Sequence, residues 1–324
     1  ECSLFAMEYG IAMNIAGGTH HAYADRGEGF CLLNDIAVAS SYMLRKGLVR
    51  QVLVVDLDVS PCVDCRFDLA DTGRGERDFA LGHIPGACYA HLDRDLSSPI
   101  TADSGRHPLP DPQGLCSWFG AVGIGVDTQV VAYDDSAGTM AVRLWWLLRW
   151  LGHHTVALLD GGWQAWAAAG MAVESGPGRP RDAAIFAGQP DPTQVVATNQ
   201  LAKQTHHQAA PLLVMDARTA ERFRGESEPI DPVAGHIPGA INLPLQRNLN
   251  ADGTFRSAAE LRRLYRTAIG AHNPSQVAAM CGSGVTACHN LLAMEIAGLS
   301  GGKLYAGSWS EWIRDPRRPV ATGA

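Results

Sequence analysis

Met280-Cys281-Gly282-Ser283-Gly284-Val285-Thr286-Ala287 lies between two contrasting patterns. Before it runs the apolar stretch Val277-Ala278-Ala279. After it Leu291, Leu292, Met294 and Ile296 recur at helical spacing. A cysteine therefore stands where a buried strand gives way to a helix. The two glycines let the backbone curl without steric penalty. The N–H groups of such a curl lack helical partners and point inward. Together with the helix dipole they favour an anion at the Cys281 sulfur, which makes the thiol a candidate nucleophile. A buried structural cysteine in a glycine turn is the competing reading. The Gly-x-Gly context and the rest of the second half of the chain favour the nucleophile.

The rest of the 324-residue chain narrows the options. It has room for two ordinary domains and a further piece. An apolar content of 46% is that of a globular protein, and a net charge of −7 argues against a nucleic-acid partner. The most apolar run, Leu144 to Leu151, is too short to span a bilayer and contains Arg149, so no membrane role is expected. No signal peptide is recognisable, and the opening Glu1 suits a fragment or a processed product. Eight cysteines at this length do not form a disulfide framework, which points to a reducing, cytoplasmic setting.

From Cys62 onward the chain repeats itself. Asp64-Cys65-Arg66 recurs as Asp216-Ala217-Arg218, and Gly82-His83-Ile84-Pro85-Gly86-Ala87 as Gly235-His236-Ile237-Pro238-Gly239-Ala240. Gly161-Gly162-Trp163 with Trp166 recurs as Gly307-Ser308-Trp309 with Trp312. A constant spacing of 146 relates Ala141 to Ala287 and Trp163 to Trp309; without a gap it sets Asp135 opposite Cys281. Each copy alternates short apolar runs with helical patterns. Val130–Tyr133 reads as a strand, Thr139 to Leu151 as a helix and Val156–Leu159 as the next strand. That alternation predicts an α/β fold with mainly parallel sheets. The Gly/Pro-rich run from Ser175 to about Pro192 reads as the linker, and Asp315 to Ala324 as a frayed tail. The expected domains are 60–185 and 193–324.

His83 and His236 belong to a turn kept in both copies although only one copy has the cysteine, so they read as structural. Cys62-x-x-Cys65 has no second cysteine pair to complete a zinc site. His153-His154 and His206-His207 read as solvated loop pairs.

The first sixty residues differ in character. His20-His21 follows a glycine turn, and the strand-like Val52-Leu53-Val54-Val55 ends in Asp56-Leu57-Asp58. Paired histidines and aspartates at such places suggest a hydrolytic metal site. Residues 4–59 resemble the histone deacetylase family, whose tandem histidines match His20 and His21 and whose Asp-x-Asp-x-His matches Asp56 and Asp58. Ser60 stands where that family's zinc-binding histidine falls, and nothing downstream continues the pattern. Residues 1–59 are therefore read as a truncated, incomplete α/β fragment without activity and without metal.

Residues 62–324 resemble the tandem-domain rhodanese family of thiosulfate and 3-mercaptopyruvate sulfurtransferases. The resemblance rests on Asp64-Cys65-Arg66-Phe67-Asp68-Leu69, both Gly-His-Ile-Pro-Gly-Ala motifs, Asp160-Gly161-Gly162-Trp163 and Cys281-Gly282-Ser283-Gly284-Val285-Thr286. It implies two homologous α/β domains, only the second catalytic, with Cys281 as the nucleophile and Gly282, Ser283, Gly284, Val285 and Thr286 as the persulfide loop. It also implies a small sulfur donor, a cyanide or thiol acceptor, a thioredoxin-like reductant as a possible partner, and no cofactor. The family's substrate-binding arginine falls on Arg222; Arg218 and Arg224 are neighbouring candidates, since a guanidinium fork suits an anionic donor. Cys-Gly-Ser-Gly-Val-Thr is similar to the mercaptopyruvate-using members, whereas thiosulfate-preferring members resemble Cys-Arg-Lys-Gly-Val-Thr. The second arginine that follows a Glu-Pro pair in many mercaptopyruvate enzymes is Ile230 here, after Glu228-Pro229. A phosphatase of this fold would need an arginine at position 287, which is Ala287. A non-enzymatic binding module of this family often lacks the cysteine.

Overall fold

A computed structural model describes residues 61–204 and 212–323. The described residues belong to one compact unit, Leu57–Ala324. His20, His21, the expected strand Val52–Val55, Asp56, Asp58, Ser60 and the pair His206-His207 lie outside the described residues.

Two four-stranded sheets are built to one plan. Strands β1 (Cys62–Asp64), β2 (Cys88–Tyr89), β3 (Val130–Tyr133) and β4 (Val156–Leu158) lie in the order β2-β1-β3-β4. Strands β5 (Leu213–Asp216), β6 (Ile241–Asn242), β7 (Val277–Met280) and β8 (Lys303–Leu304) lie in the order β6-β5-β7-β8. Every pairing between them is parallel. The helices of the first half are α1 (Arg74–Leu81), α2 (Pro112–Ala121), α3 (Ala141–Trp150) and α4 (Gly162–Ala168). Those of the second are α5 (Thr198–Gln204), α6 (Ala220–Arg224), α7 (Ala258–Ile269), α8 (Ala287–Ile296) and α9 (Ser308–Trp312). Local sequence starts several of them. Asp111 caps α2 through Gly114 N–H with Pro112 in the first turn, and Ser257 with Glu260 forms a capping box on α7.

Helices α3 and α8 explain why their sequences show no clean stripe. They pack on each other between the two halves, and their residues share one core in which Val142, Leu144, Leu147, Ala287 and Cys288 are fully buried. A helix covered on all sides is apolar all round.

Each half also carries the same buried cation clamp. Arg66 pairs with Asp64 at 2.6 Å, donates to Gly82 O and stacks on Trp163 at 4.7 Å. Arg218 pairs with Asp216 at 2.7 Å, donates to Gly235 O and stacks on Trp309 at 4.6 Å. The clamp ties the end of the first strand to the Gly-His-Ile-Pro-Gly-Ala turn and to the last helix. The turn histidines are buried. His83 stacks on Phe79 and His236 on Phe223, each with Nδ1 2.8 Å from the carbonyl of that phenylalanine.

Three expectations are corrected. The gapless register fails at the catalytic loop. Asp64 pairs with Tyr133 and Asp216 with Met280, so Asp134, not Asp135, stands opposite Cys281. The first loop is one residue longer, and the 146 spacing resumes only at the helices. The tail is not frayed: Ala321 exchanges two backbone hydrogen bonds with His236, and Trp312 Nε1–H donates to Pro319 O. Glu174 makes the same exchange with His83 in the first half. His153 is buried rather than solvated, with Nε2 2.9 Å from Thr128 O.

Removing one partner of a buried ion pair strands the other charge. Asp216→Ala should therefore destabilise the protein by about 3–5 kcal/mol, read by urea unfolding. A loss below about 1 kcal/mol would mean that the clamp is not what holds the turn.

Candidate active site

Strand β7 ends at Met280, and the chain turns through 281–286 before α8 begins at Ala287. Cys281 is buried, and Gly284 N–H donates to its Sγ at 3.1 Å. The turn needs glycine at 284. Its φ is 82°, and a Cβ there would stand 2.3 Å from Ala306 O. Behind the loop, Cys281 N–H donates to Ser308 Oγ at 3.1 Å, Trp309 N–H to Cys281 O and Ser310 N–H to Gly282 O. Ser308 holds a left-handed backbone at φ 51°, where its counterpart is Gly162. Its hydroxyl, which also donates to Tyr305 O, anchors that strained conformation.

The loop of the first half shows what such a turn can bind. There the Asp134 carboxylate accepts N–H bonds from Ser136 and Gly138 on one oxygen and from Met140 and Ala141 on the other, at 2.8–2.9 Å. An anion sits in the curl of N–H groups. Gly138, Met140 and Ala141 correspond to Gly284, Thr286 and Ala287. In the second loop the Gly284 N–H makes the corresponding bond, to Cys281 Sγ.

The facing wall comes from the first half. His107 Nδ1 lies 2.7 Å from Ser283 Oγ, and Nε2 lies 3.2 Å from Asp93 Oδ1. Burial, with Arg143 and Arg106 nearby, pushes the His107 pKa down to about 3. The ring is neutral: it gives its Nε2 proton to Asp93 and accepts the Ser283 hydroxyl at Nδ1. Beside it, Arg106 pairs with Asp231. Arg222 pairs with Glu228 at 2.7 Å and with Asp231 at 3.2 Å. Burial raises Asp231, opposed by Arg106; burial also raises Glu228, but hydrogen bonds from Arg222 and from Asp231 N–H outweigh it and leave Glu228 below its ordinary value. Both guanidiniums crowd Gly282. A Cβ there would stand 2.8 Å from Arg106 Nη2 and 3.5 Å from Arg222 Nη2.

Of the expected site residues, Cys281, Gly282, Ser283, Gly284, Val285, Thr286 and Arg222 come together. Arg218 does not. Its donors are taken by Asp216, Glu228 and Gly235 O within the clamp, a role Arg66 repeats in the first half. Arg224 is paired with Glu226 and only partly buried. The second guanidinium, absent at Ile230, is Arg106. Sequence reasoning missed Arg106, His107, Asp93 and Ser308. Ser308 was visible only as the residue that stands where Gly162 does in the repeated Gly-x-Trp motif. Among the described residues no cluster could hold a metal ion. Burial raises Cys62 to about 11 and Cys88 to about 12, and Cys65 well above its ordinary value, which leaves all three as thiols.

A rhodanese-like domain family matches residues 53–169 and 198–315, covering both halves. The chain belongs to the rhodanese family. Its relatives include a Pseudomonas aeruginosa protein named "Probable 3-mercaptopyruvate sulfurtransferase", 51% identical over 81% of this chain and 92% of the relative. The human 3-mercaptopyruvate sulfurtransferase is 36% identical over 79% of this chain and 85% of its own length. The chicken thiosulfate sulfurtransferase is 35% identical over 73% and 80%. The structure of the Leishmania major 3-mercaptopyruvate sulfurtransferase aligns with TM-score 0.71 at 34% identity, over 80% of this chain and 72% of that one. This rhodanese is thus a sulfurtransferase homologue with two like halves. A histone deacetylase domain also matches residues 3–62. No helix among the described residues is long and apolar enough to cross a membrane.

The neutral His107 has a consequence for stability. Its pKa is about 3 in the fold and 6.5 as a free side chain. As pH falls below 6.5 the unfolded chain takes a proton that the fold refuses, so stability is lost down to about pH 3. His107→Gln should remove on the order of 2 kcal/mol of the stability difference between pH 7 and pH 4, measured by urea titrations at both pH values. An unchanged difference would place the buried ring in its charged form.

Proposed function

We propose that the chain moves a sulfane sulfur from 3-mercaptopyruvate, through a persulfide on Cys281, to a thiophilic acceptor. The observation that carries this reading is the Cys281 loop, whose N–H groups match those that hold the Asp134 carboxylate in the first half. The Cys281 thiolate attacks the donor sulfur and the carbon–sulfur bond breaks. The electron pair passes to the carbon as the enolate of pyruvate, and the proton of the donor thiol ends on that carbon. Cys281 is left with a persulfide anion, which the loop N–H groups stabilise. Cyanide or a thiolate then takes the outer sulfur and restores the Cys281 thiolate, a two-step ping-pong exchange. A thioredoxin-like reductant is a fitting acceptor, and a cytoplasmic setting suits the free thiols.

Two features favour a carboxylate-bearing keto donor over thiosulfate. Arg106 and Arg222 form a fork beside Gly282 suited to one carboxylate. Ser283, backed by His107 and Asp93, supplies a polarised hydroxyl where a carbonyl oxygen can lie. Residues 60–185 then form the non-catalytic domain, which lends Arg106 and His107, and 193–324 the catalytic one. Residues 1–59 contribute no deacetylation.

Cys281→Ser should abolish thiocyanate formation from either donor, because a hydroxyl cannot carry the sulfane sulfur. Incubation with donor should add one sulfur atom to the intact mass of the wild type and none to that of the variant. A substantial rate in Cys281→Ser would refute the reading.

Arg106→Ala and Arg222→Ala should each lower kcat/KM for mercaptopyruvate ten- to a hundredfold, about 1.5–3 kcal/mol. Ser283→Ala should lower the mercaptopyruvate rate more than the thiosulfate rate, since only the former donor has a carbonyl to polarise. Equal losses with the two donors would remove Ser283 from donor choice.

A further inference from the structure

The third residue of α3 is Arg143 and the third of α8 is His289, at the 146 spacing of the repeat. Both side chains are fully buried. Each leaves its own half to reach a carbonyl in the loop of the other. Arg143 Nη1 donates to Gly284 O at 3.2 Å, and His289 Nε2 lies 3.1 Å from Ala137 O. The contacts mirror each other, but their charges do not. Burial pushes His289 down to about 4, so it crosses the interface neutral. Burial lowers Arg143 as well, yet a guanidinium keeps its proton in a protein.

This asymmetry follows the contents of the loops. The loop that His289 reaches already holds an anion, Asp134, satisfied by backbone N–H groups. The loop that Arg143 reaches holds Cys281 and has no lysine or arginine from 281 to 286. Arg143 donates to Leu96 O, His107 O and Pro108 O besides Gly284 O, and makes no ion pair with a carboxylate among the described residues. Burying such a cation is costly unless an anion arises beside it. The two thiols that its charge acts on are Cys288 and Cys281. Burial drives Cys288 up to about 12 in spite of Arg143, so that thiol stays protonated. Gly284 links the other thiol to this cation: its carbonyl accepts from Arg143 and its N–H donates to Cys281 Sγ, the atom on which the proposed persulfide anion forms.

We propose that Arg143, supplied by the non-catalytic half, is the fixed counter-charge and positioning residue of the Cys281 loop. Its effect is twofold. The guanidinium balances the sulfur anion. It also holds the Gly284 carbonyl, and in a trans peptide this turns the Val285 N–H the opposite way. The same side chain grips His107 O and Pro108 O, so one residue sets the loop and the wall that faces it. The proposal rests on the reading of Cys281 as the sulfur carrier.

The test compares alkylation of Cys281 by anionic iodoacetate and neutral iodoacetamide in the full chain, with the adduct located by mass spectrometry. The ratio of the two rates reports the local potential, which a merely structural role would not move. Arg143→His copies the residue that the fold accepts at 289, and Arg143→Gln keeps two N–H donors without charge. Both should lower the iodoacetate-to-iodoacetamide ratio roughly five- to tenfold, while Arg143→Lys should hold it within about twofold. An unchanged ratio in a folded neutral variant, or an equal fall in Arg143→Lys, overturns the proposal. If neither neutral variant folds, the ratio in Arg143→Lys decides alone. Alkylation needs no sulfur donor, so a failed sulfurtransferase reading would appear separately, as absence of thiocyanate from the wild type.

Discussion

The packing of α3 against α8 is the constraint on which the rest depends. These two helices are the corresponding elements of the two halves, and each begins directly after a loop that ends a central strand. Burying them against each other brings both loops to the same interface. An apolar contact of this kind has no direction of its own. Direction comes from the polar groups it encloses: Arg143 and His289 crossing in opposite senses, and the Arg149–Glu295 pair at the rim.

The exchange extends beyond the helices. The segment after β2 supplies Arg106 and His107 to the second loop, and the segment after β6 supplies Phe255 to the first. Phe255 stacks on His289 at 4.5 Å, and its N–H is taken by Asp160. Each half thus covers the loop of the other. The two coverings differ in chemistry. One is an aromatic ring over a loop whose carboxylate is already satisfied; the other is two arginines and a histidine, Arg106, Arg143 and His107, over a loop that carries a thiol. Duplication produced two like frames whose loops differ in content, Asp134 against Cys281, and by one residue in length.

Asp231 and Glu228 hold the two guanidiniums of the proposed donor site in place. They occupy the guanidiniums of Arg106 and Arg222, which crowd Gly282. On the reading proposed above, a donor carboxylate would enter a site where the cations are already desolvated and oriented, so less ordering would remain to be done at binding. A side chain at 282 would meet the Arg106 and Arg222 guanidiniums, and Arg106 would have to shift to admit it.

Much was legible in the chain itself. Period and punctuation placed β3, β4, β7 and α8, because a buried strand and a glycine turn leave local marks. The duplicated motifs implied two like α/β halves. Gly284 and Cys281 could be assigned to an anion-binding curl because that curl is made by the backbone of consecutive residues. What sequence could not supply was everything that crosses from one half to the other. Arg218 stood as a neighbouring candidate to Arg222; its burial under Trp309 and its pairing with Asp216 remove it. His107 lies 176 positions from Ser283 and Arg106 lies 125 from Asp231, separations at which no local pattern survives. The one-residue slip that puts Asp134 opposite Cys281 was likewise invisible, since strand register is set by hydrogen bonds to β1 and β5 and leaves no mark in the residues themselves. Local backbone chemistry was therefore determined by the sequence, while the partners of the thiol were decided by the packing of two halves that are distant along the chain.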